Sequence, residues 1–162
     1  MDWSETTVLV ASGTSRVGSE IARRVADGGG TVGFTYRSSR ERARRLHDGL
    51  PGTGHRRWAC DVTDPADVER VVAEAFDELD GVDALVYTIG FIAFEEVGAS
   101  TVDTWRALLE VNATGAFNIV EAAAPRFRAA DGGAIVAVSA SDGIVREDGL
   151  AGQRPLGDRR RE

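Results

Sequence analysis

The 162-residue chain contains no lysine, so all 19 of its basic residues are arginine. It has two tyrosines, Tyr36 and Tyr87, and neither lies in the last third of the sequence. These two shortages exclude any chemistry that requires a tyrosine paired with a lysine late in the chain.

Cysteine and histidine are also scarce, and the net charge is negative. The single cysteine, Cys60, excludes an internal disulfide, and with only His47 and His55 beside it a Cys/His metal cage is not expected. The net charge of −7 disfavours binding to nucleic acid or to an anionic membrane, because both would repel the chain. No apolar run approaches the roughly 18 residues of a membrane span, and the first residues lack signal-peptide features. We therefore expect a cytoplasmic protein without metal, nucleic-acid or membrane partners.

Short apolar runs alternate with helical patterns along most of the chain. Strict alternation predicts a parallel sheet with helices on both faces, which is a three-layer, doubly wound, Rossmann-like α/β fold with strand order 3-2-1-4-5. The predicted strands are 6–11, 31–36, 55–60, 83–89 and 134–139. The predicted helices are 17–27, one from Ser38 or Ser39 to about 49, one that begins at Pro65 after an Asp64 cap, and one or two over 101–127.

A glycine-containing loop directly follows the first strand. In this place backbone N–H groups and the start of the next helix can approach a pyrophosphate. A tight turn without a ligand is the simpler interpretation, but the position between a first strand and a helix favours phosphate binding. The candidate residues are Ser12, Gly13, Thr14, Ser15, Arg16 and Gly18.

The end of the second strand carries Arg37 and Ser38 and no acidic residue. Dinucleotide folds that prefer NAD usually place an acid here to accept from the ribose 2′-OH. Arg37, helped by Arg16, would instead suit a 2′-phosphate. Arg37 alone is equally well explained as a solvated residue that opens an arginine-rich helix. With both arginines counted, the pattern favours NADP(H) over NAD(H).

Several motifs in order resemble the short-chain dehydrogenase/reductase family, and are most similar to bacterial 3-oxoacyl-[acyl-carrier-protein] reductases. The motifs are the 12–18 loop, the 36–39 segment, Asp61-Val62, the 83–86 segment leading to Gly90, and the 110–115 and 133–136 segments. The resemblance covers about residues 6–150. It implies an NAD(P)-binding Rossmann-like domain over residues 1–150.

The resemblance also implies roles for individual residues. Asp61, followed by Val62, would hold the adenine amino group, and Ile89 and Gly90 would line the nicotinamide side. Asn112 would be the asparagine of the catalytic tetrad, which supports a proton-relay water. Asp61 as a strand-end turn residue and Asn112 as a helix-surface residue are the simpler alternatives. The functional roles are favoured because the next helix already has its own cap, and because a buried amide needs partners.

Two cofactor motifs depart from the family pattern. The glycine loop is one residue short and lacks its middle glycine. The Asn-Asn-Ala-Gly motif after the fourth strand is replaced by Tyr87-Thr88-Ile89-Gly90. Tyr87 is bulkier than asparagine, so we expect it to crowd the cofactor.

The catalytic motifs depart further. The serine position falls on Ala140, and a one-residue shift would present Ser139 or Ser141 instead. The tyrosine and lysine positions of Tyr-x-x-x-Lys fall on Gln153 and Gly157, which supply neither a general acid nor a positive charge. General acid catalysis contributes about 10²–10⁴-fold, so we expect strongly impaired catalysis.

The final stretch, 151–162, has no helical or strand period. We expect it to be disordered or unrelated to the family, so that the family's final strands and helices are absent. The strand over 134–138 would then be an uncovered, apolar sheet edge.

Three functions remain open. The first is an NADP-dependent short-chain oxidoreductase for a small-molecule carbonyl or alcohol, truncated or altered after about residue 150. The second is a non-catalytic nucleotide-binding or partner-binding module that forms a homo-oligomer or pairs with a complete homologue, through the edge strand and the 101–127 helix. The third, a lyase or isomerase, is disfavoured because no other acid/base pair is evident.

Overall fold

The fold is organised around a parallel five-stranded sheet with the order β3-β2-β1-β4-β5. A computed structural model describes residues 2–94 and 98–139 of the chain. In the central register, Val10 of the first strand lies between Phe34 and Val86. The predicted doubly wound order is therefore confirmed. The strands are β1 (Thr7–Ala11), β2 (Thr31–Tyr36), β3 (Arg56–Ala59), β4 (Ala84–Tyr87) and β5 (Ala134–Ala137).

Helices connect the strands and cover both faces of the sheet. The alternate side chains of β1 show this directly: Val8 and Val10 pack with α1 and α2, whereas Leu9 and Ala11 pack with α3 and α5. Because strand side chains alternate between faces, both faces of β1 are buried, as the apolar sequence predicts. The helices are α1 (Arg16–Asp27), α2 (Arg40–Asp48), α3 (Pro65–Glu78), α4 (Val102–Leu109) and α5 (Gly115–Ala129).

Local capping signals fix the helix starts. The side chain of Asp64 accepts from the N–H groups of Ala66 and Asp67, with Pro65 at the first helical position, as predicted for α3. Helix α1 begins at Arg16, one residue before the predicted start, because Ser15 takes the N-cap position. Ser39 stands at the N-cap of α2 without a side-chain capping bond.

The predicted helix over 101–127 is interrupted by a π-helical segment. Helices α4 and α5 are joined by Glu110–Thr114, a single π-helical turn that contains Asn112. Such turns are rare and are frequent at functional sites. This irregularity places Asn112 differently from the regular helical position that its spacing suggests.

Three strands are shorter than their apolar runs. Cys60, Thr88 and Val138 each follow a strand and donate one last hydrogen bond, to the carbonyls of Tyr36, Ala11 and Tyr87, before the chain turns away. The predicted 55–60, 83–89 and 134–139 strands therefore end one or two residues early. The apolar residues beyond the ladder belong to the loops that form the site.

The strand β5 lies at the edge of the described sheet and pairs there with β4. All four of its residues are exposed, and Val136 keeps 50% of its surface accessible. The predicted apolar edge is thus present in the described part of the chain. Ala140, Ser141, Gln153, Gly157 and the 151–162 stretch lie outside the described residues, so the expectations for them are not addressed by the structure.

Candidate functional site

The glycine loop joins β1 to α1 at the carboxyl edge of the sheet. Gly13 N–H donates to the Thr35 carbonyl (2.9 Å), which ties the loop to β2. Ser15 Oγ accepts from Gly18 N–H (2.9 Å) and lies 3.3 Å from Thr88 Oγ1. Thr88 Oγ1 also donates to the Ala11 carbonyl (2.7 Å). The loop is therefore closed and anchored to both neighbouring strands although it is one residue shorter than the family pattern.

Both glycines of this loop stand where a side chain would collide with its surroundings. A Cβ at Gly13 would lie 2.6 Å from side-chain atoms of Phe34. A Cβ at Gly18 would lie 2.2 Å from the Ser12 carbonyl oxygen and 2.9 Å from Ser15 Oγ. The loop and the first turn of α1 are thus packed so closely that neither position has room for a side chain.

The end of β2 provides the positive charge of the site. Arg37 and Ser38 follow the strand, and both are exposed. None of the ion pairs among the described residues involves Arg37. Its guanidinium is therefore open to a ligand, and the segment from Tyr36 to Ser39 presents no acid.

Asp61 follows β3 and occupies the turn position of the simpler interpretation. Its Oδ1 accepts from the N–H and the hydroxyl of Thr63, at 3.0 and 2.8 Å, which makes it a turn residue. Among the described residues, no hydrogen bond occupies Oδ2, so this oxygen remains available to a ligand. Val62 is buried beneath Gly115, whose Cβ would lie 2.7 Å from it.

The prediction that Tyr87 crowds the cofactor is wrong. Tyr87 is 4% exposed and belongs to the core between the sheet and helices α3 and α5. Its hydroxyl donates to the Val111 carbonyl (3.0 Å), and burial raises its pKa to about 12. The side chain leaves the carboxyl edge because Tyr87 shares the face of Leu85, two residues earlier on β4.

Asn112 fastens the segment that follows β4. Its Oδ1 accepts from the Phe91 N–H (2.8 Å), and its Nδ2 donates to the Phe91 carbonyl (2.7 Å). Asn112 is exposed, as the helix-surface alternative expects, and both ends of its amide have backbone partners. The side chain holds the backbone beside Gly90 in place.

These loops enclose one cavity of about 420 Å³ at the carboxyl ends of the strands. It brings together most of the predicted cofactor residues, namely Ser12, Thr14, Ser15, Arg37, Ser38, Asp61, Val62, Ile89 and Gly90. Ligands of open α/β sheets bind at such a crevice. Gly13 and Arg16 instead line a neighbouring groove. Gly18, Asn112 and Ser139 do not line this cavity, and Ser139 lies exposed two residues beyond β5.

Several lining residues were not predicted. They fall into three groups: residues at strand ends, residues that flank the predicted motifs, and residues in or just after α4. The end of each parallel strand is a signal that could have identified Thr35, Tyr36 and Cys60. The full set is Thr35, Tyr36, Ser39, Cys60, Thr88, Phe91, Ala107 and Val111.

The thiol of Cys60 should be nearly unreactive although it lines the cavity. Burial raises its pKa to about 12, and the nearby Asp67 adds to this effect. The thiolate is the nucleophile, so alkylation by iodoacetamide should be very slow near neutral pH. Its rate should rise about tenfold per pH unit, without levelling off, between about pH 7 and 10. A plateau near about pH 8.5, the ordinary range of a free cysteine, would contradict this assignment.

Two further kinds of site were searched for in the described residues. Within 2–94 and 98–139, no group of three or more His, Cys, Asp and Glu side chains could hold a metal ion. The helices of this same part of the chain are too short or too polar to cross a membrane.

Comparison with known proteins agrees with this geometry. A family model described as "Enoyl-(Acyl carrier protein) reductase" matches residues 11–151. An NADP-dependent mannitol dehydrogenase of Alternaria alternata is 28% identical over 141 residues, which cover 85% of this chain and 53% of that protein. A 3-oxoacyl-[acyl-carrier-protein] reductase of Staphylococcus aureus is 26% identical over 145 residues, which cover 88% of this chain and 59% of that protein.

A solved structure shares the fold as well as the sequence. A short chain dehydrogenase of Burkholderia cenocepacia, crystallised in complex with NADP, is 30% identical with a TM-score of 0.69. The match covers 74% of this chain and 50% of that protein. This chain therefore spans about half the length of the relatives that it matches.

Proposed function

Because the chain belongs to the short-chain dehydrogenase/reductase family, we propose that it binds NADP(H) at the carboxyl edge of its sheet. The bound nicotinamide would exchange a hydride with a small-molecule carbonyl or alcohol. The observation that carries the proposal is the cavity of about 420 Å³, which gathers the loops after β1, β2, β3 and β4. Its volume falls in the range of ligand-binding pockets, and a dinucleotide is long enough to touch all four loops.

The lining residues fit the parts of NADP(H) in sequence. The glycine loop presents the start of α1, where the first backbone N–H groups lack partners within the helix and favour a pyrophosphate. Asp61 offers Oδ2 to the adenine amino group. Ile89 and Gly90 would face the nicotinamide. Asn112 is a positioning residue in this proposal, because both ends of its amide already hold the backbone of Phe91.

The preference for NADP(H) rests on Arg37. Its guanidinium stands where an acid would otherwise select the 2′-OH of NAD, and the fork of an arginine matches a phosphate. The NADP named for two of the relatives is consistent with this preference. Arg16, which was expected to help, lines the neighbouring groove instead, so Arg37 is the principal candidate for the 2′-phosphate.

Replacing Arg37 with alanine should weaken NADPH binding by about 10–100-fold, because one hydrogen-bonded charge pair contributes about 1.5–3 kcal/mol. Binding of NADH, which has no 2′-phosphate, should change little. Calorimetric titration of both nucleotides measures the two effects. Arg128→Ala, at an exposed arginine of α5, is the matched control and should leave both affinities unchanged. Equal losses for NADPH and NADH in Arg37→Ala would contradict the proposed role.

A second function, that of a nucleotide-binding partner module, is favoured by the apolar surface of α4 and α5. Trp105, Leu109 and Phe117 are 59%, 45% and 64% exposed. The exposed edge of β5 adds further apolar surface. Exposed apolar area of this kind marks protein interaction sites, and a second copy or a complete homologue would cover it.

A charge placed on this surface should break such pairing. Light scattering should show a wild-type dimer or larger oligomer, and Trp105→Glu should shift it toward the monomer. Arg106→Glu changes the charge of the adjacent, more polar position and serves as the control. A strictly monomeric wild-type chain would contradict the partner module and leave the proposal of nucleotide binding intact.

A further inference from the structure

The loop after β3 is held in place by side chains from two different helices. Asp67, on α3, accepts the Asp61 N–H at its Oδ2 (2.8 Å). Asn118, on α5, donates from its Nδ2 to the Val62 carbonyl (2.9 Å). Neither Asp67 nor Asn118 lines the cavity, whereas Asp61 and Val62 both do. The two supporting side chains therefore reach the site only through the backbone of this loop.

The polar groups of Asp61 are almost fully engaged within the protein. Its N–H is bonded to Asp67, and its carbonyl accepts from the Asp64 N–H (3.1 Å). Its Oδ1 accepts twice from Thr63. Among the described residues, Oδ2 is thus the one polar atom of Asp61 without a partner. Because the backbone is fixed on both sides of the carboxyl group, the direction of Oδ2 is fixed as well.

Val62 is held at both its side chain and its carbonyl by the start of α5. A Cβ at Gly115 would lie 2.7 Å from Val62 Cγ2, so the helix and this side chain are in close contact. Asn118, three residues later, reaches the Val62 carbonyl. Val62 is 5% exposed, and Asn118 is half-buried, which limits the access of competing water. The first turn of α5 therefore sets the position of the loop from one side, as Asp67 does from the other.

We propose that Asp67 and Asn118 are positioning residues that give the site its preference for adenine over hypoxanthine, an inference that rests on the proposed binding of NADP(H). The amino group of adenine donates to the free Oδ2 of Asp61. Hypoxanthine carries a carbonyl oxygen in place of this amino group, so it presents an acceptor to the carboxylate. Such discrimination requires a preorganised Oδ2, and a group is preorganised when its own supports hold it still. Without either support, the carboxylate can turn away and the two bases become equivalent.

The test compares NADPH with reduced nicotinamide hypoxanthine dinucleotide phosphate, which differs from it only in the base. In calorimetric titrations the wild-type chain should bind NADPH about 10–100-fold tighter, as expected for one hydrogen bond to a charged group. Asn118→Asp keeps the size of the side chain but replaces its donor with an acceptor, and Asp67→Ala removes the acceptor for the Asp61 N–H. In both variants the ratio of the two affinities should fall toward one. Asp67→Asn keeps an oxygen for this N–H and loses the ion pair with Arg70, so it should retain the ratio.

The preference for NADPH over NADH separates positioning from general damage to the fold. This preference is assigned to Arg37, after β2, so it should persist in Asn118→Asp and Asp67→Ala. Two exposed positions provide matched controls: Glu121→Ala on α5 and Asp77→Ala on α3 should change neither ratio.

An unchanged base preference in Asn118→Asp or in Asp67→Ala would overturn the inference and leave NADP(H) binding intact. Parallel loss of the base preference and of the NADPH preference would overturn it too, since the two side chains would then only support the fold. A wild-type chain that bound both bases equally would also contradict it. Absence of NADPH binding by the wild-type chain would instead contradict the proposed function, and the inference with it.

Discussion

Replacing Gly18 with alanine should destabilise the fold by about 1–3 kcal/mol, the usual cost of overpacking, and remove detectable NADPH binding. The added Cβ would lie 2.2 Å from the Ser12 carbonyl oxygen, so the loop or the first turn of α1 must move. Either movement breaks the bond from Gly18 N–H to Ser15 Oγ and changes the wall of the cavity. Urea unfolding and NADPH titration measure the two effects.

Gly90→Ala is the matched control for this substitution. A Cβ there would have its nearest neighbour, Asn112 Oδ1, at 3.9 Å, and the backbone needs no left-handed conformation. Its stability should therefore remain close to that of the wild type. If Gly18→Ala were as stable as Gly90→Ala and bound NADPH normally, the tightly packed loop would not be the structure that shapes the nucleotide site.

We predict a turnover about 10²–10⁴-fold below that of an ordinary enzyme of this family, even with NADPH bound, because Gln153 and Gly157 stand at the sequence positions expected for the family's tyrosine and lysine. The chain has no lysine. Its two tyrosines are 7% and 4% exposed, and the hydroxyl of Tyr87 donates to the Val111 carbonyl. Neither can replace the tyrosine that gives its proton to the substrate oxygen in the family.

The assay follows NADPH oxidation with a 3-oxoacyl thioester and a set of small ketones. NADPH binding is measured in the same preparation, so that inactivity is not confused with an empty site. Common enzymes turn over at about 10 s⁻¹. A rate near that value on any of these substrates would contradict the impaired catalysis, although it would leave NADP(H) binding in place.

The architecture could be predicted from the sequence because each element carries its own signal. The apolar β1, buried on both faces, predicts a central strand, and Asp64 with Pro65 predicts the start of α3. Strict alternation of strands and helices then leaves few topologies. The strand ends could not be predicted as well, since Cys60 and Thr88 are apolar or β-branched residues that continue the strand pattern into the loops.

The sequence predicted which residues lie at the site better than it predicted where their side chains point. Loops after parallel strands must meet at one edge, so most of the cofactor residues lie in one cavity. The direction of Tyr87 was missed because the family motif drew attention to its size, whereas its two-residue spacing from Leu85 sends it into the core. Arg16 is the first residue of α1 and lines the groove next to the cavity, so its predicted contact with the 2′-phosphate stays a prediction.

The hydrogen bonds of the Asn112 side chain could not be predicted from the sequence either. Its position in the motif indicates a functional residue, but the π-helical turn depends on how α4 and α5 meet. The two bonds to Phe91 link positions 21 residues apart in the sequence. No local pattern encodes this pairing, since it arises only when the segment after β4 packs against the turn.

The most direct test of nucleotide binding is calorimetric titration of the unmodified chain with NADPH and, separately, with NADH. We predict saturable binding of one NADPH per chain, about 10–100-fold tighter than NADH because of the charge pair between Arg37 and the 2′-phosphate. Absence of NADPH binding by a folded chain would contradict the proposed function. Equal affinity for the two nucleotides would contradict the assignment of Arg37.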